Sequence, residues 1–170
     1  MATLTAVNPS WNRSMTGRFM VATYCLSDGS ATWKSGEFLR IGADGLLYEG
    51  TTSAASGVAA DAITHYALSD LDTATTGVDT NYRKVGIVHE DDVFEINDKS
   101  TTVAGAKIGQ WYGMDVTSNV CTIDTTNTTH KVFQVLQPTW REREIQDSSA
   151  DTKARAMVQV LARTINAARV

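Results

Sequence analysis

The stretch Gly36 to Ala62, GEFLRIGADGLLYEGTTSAASGVAADA, most constrains what this chain can fold into. Two short apolar runs, Phe38-Leu39-Arg40-Ile41 and Leu46-Leu47-Tyr48, flank Gly42-Ala43-Asp44-Gly45. An Asp-Gly pair between strand-like runs signals a hairpin, because glycine accepts the positive φ that a tight turn needs. A small-residue loop, Thr51 to Gly57, then leads into Val58-Ala59-Ala60-Asp61. Nothing in this stretch is a nucleophile, a metal cage or a phosphate loop.

The rest of residues 36–137 reads as further short strands between turn residues. Ala59 to Leu71 reads as a short helix or loop, and Leu68 to Asn81 as a Thr/Asp/Gly loop. Tyr82 to His89 and Val93 to Ile96 bracket Glu90-Asp91-Asp92, the pattern of a second hairpin. Val120 to Asp124 alternates, with Cys121 and Ile123 on one face and Thr122 and Asp124 on the other. Lys131 to Leu136 closes the set. Short β segments at this spacing predict a mainly β body, a small barrel or sandwich. At 170 residues, 42% hydrophobic and 20% charged, the chain has the composition of a globular protein with one main core.

The two ends read differently. Residues 1–35 are expected to form an extended N-terminal arm carrying a first strand, Phe19 to Leu26. Residues 138–170 are expected to be a linker followed by an amphipathic helix over 148–170. Ser148 and Asp151 suggest its cap, and Ala154, Met157, Val158, Leu161, Ile165 and Ala168 fall on one stripe. Six of the fifteen basic residues but only four of the nineteen acidic ones lie from Pro138 onward. A basic tail on an acidic body could dock on an acidic partner or simply be a solvated helix face. Trp11 and Trp33 are expected to pack on the body or on a neighbouring subunit, and Trp140 to anchor the connection to the tail.

Chemistry finds little foothold. The formal charge of -4 argues against a general nucleic-acid binder. No apolar run approaches the ~20 residues of a membrane helix, so no membrane partner is expected. Met1-Ala2-Thr3 lacks the basic region and apolar stretch of a secretory signal, and Cys25 and Cys121 are expected to stay free. His65, His89 and His130 fall in separate segments, and no Gly-x-Ser-x-Gly elbow exposes a serine. Cys25 or Cys121 beside a histidine is the one formal nucleophilic arrangement. His89-Glu90-Asp91-Asp92 clusters four possible ligands, but neighbours on a strand point to opposite faces, so a charged turn is the expected reading. No catalytic, cofactor-binding or metal-binding residue is assigned, and no enzymatic activity is expected.

The Gly-Glu-hydrophobic strand, the Asp44-Gly45 turn and the Gly57-Val58-Ala59 return resemble phage head decoration (cement) proteins. Val85-Gly86-Ile87-Val88, Val93-Phe94-Glu95-Ile96 and Phe133-Gln134-Val135-Leu136 are similar to later strands of that family. The resemblance covers roughly residues 36–137. It implies a tulip-like β body, residence on the outer capsid surface of the virion, the major capsid protein as partner, a homotrimer and no cofactor. On that reading the candidate shell or subunit contacts are Trp11, Trp33, Trp140, Arg155 and Arg163. The alternative is a receptor- or carbohydrate-binding module of a phage fibre, which the Thr-rich loops and Trp111-Tyr112 suggest.

Overall fold

A computed structural model describes residues 8–50, 63–71, 82–99, 108–136 and 155–161. Among these residues every regular element is a strand. The strands are β1 (Ser10–Ser14), β2 (Val21–Leu26), β3 (Phe38–Ile41), β4 (Leu47–Glu49), β5 (His65–Ala67) and β6 (Tyr82–Ile87). They continue with β7 (Asp92–Asn97), β8 (Trp111–Thr117), β9 (Val120–Asp124), β10 (Phe133–Val135) and β11 (Arg155–Val160). They build two antiparallel sheets, β1-β7-β11-β10-β8-β9 and β2-β6-β5-β3-β4.

The expected first hairpin is present. Leu39 pairs with Glu49 and Ile41 with Leu47, and Gly45 turns the chain at φ +80°. Alternation along β3 and β5 then divides the interior. Phe38 and Tyr66 face the first sheet, while Leu39 and Ala67 face away from it into a second apolar cluster. In the main core Phe38 lies 4.9 Å from Phe94 and 5.5 Å from Phe133, centroid to centroid. Cys121 and Ile123 of β9 join this core, as their alternation predicts.

Both sheets curl until strands far apart in their order meet, the two end strands in the second sheet and β7 with β9 in the first. Ser27, just after β2, bridges Leu47 of β4, and the Asp28 amide donates to the Leu47 carbonyl at 2.9 Å. Asp98, just after β7, bridges Ile123 of β9 in the same way. A sheet that closes on itself needs fewer protected edges, and its interior is filled by side chains alone. The second cluster, Ala31, Trp33, Leu39, Leu47, Ala67, Leu71 and Val85, occupies the inside of the second sheet's curl.

Three expectations change. Residues 155–160 are strand β11, not helix, and residues 148–154 and 162–170 lie outside the described residues. Ala156, Val158 and Val160 point into the core while Arg155, Met157 and Gln159 alternate outward. A strand inserted between β7 and β10 satisfies its backbone groups on both sides, which outweighs a helical stripe legible over the same letters. Tyr82 to Asn97 is not a hairpin either: β6 and β7 belong to different sheets, and residues 88–91 carry the chain between them. The third change is in the 59–71 stretch, where His65–Ala67 is a strand between β3 and β6. The Gly57-Val58-Ala59 return and residues 59–62 lie outside the described residues.

The expected arm is woven into both sheets from Ser10 onward. β1 pairs with β7, and β2 pairs with β6 along its whole length. Asn8 ties the chain to β9, its side-chain amide donating to the Asn119 carbonyl at 2.8 Å and its Oδ1 accepting from the Cys121 amide at 2.9 Å. The Tyr66 hydroxyl donates to the Pro9 carbonyl at 2.7 Å.

Candidate interaction surface

Where β1 hands over to β2, apolar side chains reach the surface. Phe19 is 85% exposed, Tyr24 67% and Met15 63%, and Val21 and Tyr82 are also exposed. Met20, between Phe19 and Val21, turns inward against the main core. It lies over Gly86 so closely that a Cβ there would sit 2.7 Å from its sulfur. Met20 is thus packed inward while Phe19 and Val21 on either side of it are exposed. Tyr24 points to the opposite face from Val21 and is diagonal to Tyr82, since Tyr24 pairs with Lys84 and Leu26 with Tyr82.

β2 ends the strand order of its sheet, and among the described residues its outer edge meets another strand only at Ser27. An edge of this kind offers unpaired backbone donors and acceptors, and natural proteins usually guard it with charge or proline. Here it carries apolar groups on both faces. That combination suits a protein partner, through strand addition or packing of the aromatic rings.

A polar cluster fixes the neighbouring crossover. The Trp11 indole donates to Asp92 Oδ1 at 3.1 Å, and the His89 amide donates to Asp92 Oδ2 at 2.9 Å. Ser14 Oγ donates to Asp91 at 2.6 Å, and Thr16 and Arg18 also bond its carboxylate. Against the desolvation that would raise it, these hydroxyls and the guanidinium hold the Asp91 carboxyl below its usual range. The acidic turn is thus occupied by β1 and Arg18. Among the described residues no group of three or more His, Cys, Asp or Glu side chains converges as metal ligands.

The expected contact residues separate. Trp33 is 1% exposed and fills the second core, so it packs on its own body and is withdrawn as a surface contact. Trp11 is half-buried against the main core. Arg155 is half-exposed at 3.1 Å from Glu95 across the β11–β7 ladder. Trp140 and Arg163 lie outside the described residues. Phe19 and Tyr24 were missed because an apolar run reads as core in sequence, although the run Phe19 to Leu26 was legible as a strand.

The one cysteine–histidine contact is Cys25 Sγ to His65 Nε2, 3.5 Å, with His65 Nδ1 2.8 Å from Thr64 Oγ1. Burial pushes the Cys25 thiol up and the His65 imidazole down to about 4, so the pair is neutral at physiological pH. A nucleophilic cysteine needs the thiolate, which this environment disfavours. Both cysteines are free thiols, and Cys121 is fully buried. Trp111 and Tyr112 also part company: Tyr112 enters the core and Trp111 faces outward from β8. No protein-family model, curated protein sequence or solved structure matches this chain.

Proposed function

We propose that this chain is a head decoration protein that binds the outer surface of an assembled phage capsid and stabilises its expanded lattice. The observation that carries the reading is the β2 edge, which among the described residues meets another strand only at Ser27, with exposed Phe19, Val21 and Tyr24 beside it. Apolar groups on both faces of a strand held by the β2–β6 ladder are suited to binding without chemistry. The resemblance of residues 36–137 to decoration proteins supplies the partner, the major capsid protein.

The mechanism is linkage. A protein that binds only the expanded lattice lowers its free energy by the free energy of binding. An interface of roughly 1,600 Å² suffices for a stable complex. A closed trimer would engage several shell subunits together and gain avidity without stronger single contacts. Because β1 belongs to the first sheet, the test is by point substitution and not by truncation of the N-terminus. Phe19→Ser combined with Tyr24→Ser is expected to weaken binding to purified expanded heads at least tenfold, with an unchanged thermal midpoint. A double variant that saturates heads at wild-type concentration would overturn the reading.

A further inference from the structure

On the far side of the first sheet, Trp111, Glu90, Asp91, Gln159, Val160 and Leu161 line a cleft of about 350 Å³. The strand register builds its floor. Trp111 of β8 pairs with Gln134 of β10, and Gln134 pairs with Gln159 of β11, so an indole and two carboxamides stand in one cross-strand row. The crossover between the sheets forms one wall. The Gln159 amide donates to the Glu90 carbonyl, which fixes the carboxamide beside the ring. Asp91 in the same wall is held by Ser14, Thr16 and Arg18, so its charge is already answered.

We infer that this cleft binds a neutral hexopyranose glycan, stacked on Trp111 and hydrogen-bonded by Gln159 and Glu90, which line it. A sugar ring has one face of C–H groups and a rim of hydroxyls that both donate and accept. An indole answers the first, and carboxamides, which also donate and accept, answer the second. The volume lies at the small end of ligand sites, roughly 300–1,000 Å³, and suits a mono- or disaccharide unit. A cationic ligand is the weaker fit, because a lone indole makes no aromatic cage and Arg18 already pairs with Asp91. The floor of this site is on a different sheet from the β2 edge, and neither Phe19 nor Tyr24 lines it.

The test applies the intact protein to an array of immobilised neutral oligosaccharides (α-glucans, β-glucans, galactans and mannans) beside acidic ones. Retention on at least one neutral class is expected. Trp111→Ala and, separately, Gln159→Ala are each expected to lower it at least tenfold with the thermal midpoint preserved. Phe19→Ser with Tyr24→Ser is expected to leave it unchanged. Retention on acidic glycans alone, no retention on any neutral class, or retention indifferent to both single substitutions would overturn the site.

Discussion

Two buried ionisable side chains set opposing demands at the residue scale. Glu37 is fully buried, and burial, with the Glu49 carboxylate nearby, raises its carboxyl to about 7 despite the backbone amides of Lys34 and Gly50. The unfolded chain ionises Glu37 near its ordinary 4.5, so this group weakens folding progressively as pH rises from 4.5 to about 7. His65, depressed from 6.5 to about 4, does the reverse and weakens folding as pH falls through that window. Each displacement corresponds to roughly 3 kcal/mol. Glu37→Gln is therefore expected to gain stability relative to wild type as pH rises from 4.5 to 7. His65→Gln is expected to gain as pH falls from 6.5 to 4. Urea midpoints measured against wild type across pH 4 to 8 check both, and parallel curves would contradict the assignment. Phe38, edge-on to Phe94 at the meeting of the sheets, is the packing counterpart. Phe38→Ala is expected to cost about 3–5 kcal/mol in the same assay.

At the scale of elements, legibility followed local chemistry. The β3–β4 hairpin could be read because Asp44-Gly45 sits between two apolar runs, and β9 because Cys121 and Ile123 alternate with Thr122 and Asp124. The β6–β7 crossover could not, since a charged turn between two strands looks the same whether they pair or part. β11 could not, because Met157, Val158 and Leu161 satisfy a helical stripe while Ala156, Val158 and Val160 satisfy a strand, and six residues cannot decide between the periods. Only the neighbours β7 and β10 decide. Val158→Pro removes a donor within a strand paired on both sides. It is expected to abolish slow amide exchange at Phe94 and Ile96 of β7 and lower the thermal midpoint of the whole body. A loss of protection confined to residues after 154 would contradict the insertion of β11.

For the whole molecule, the body was legible and its outward face was not. Short strands and turns announced a β barrel or sandwich, yet nothing in the letters distinguishes Trp33, sealed in a core, from Phe19, 85% exposed. Exposure is set by which edge of which sheet a strand occupies, and that is a property of topology. The apolar β2 edge and the floor of the Trp111 cleft lie on different sheets. The most direct test of the central claim is quantitative mass spectrometry of purified virions from the cells that make this chain, counting it against the major capsid protein. A lattice-wide coat predicts copy numbers close to those of the shell protein, and a protein absent from the particles would contradict the account.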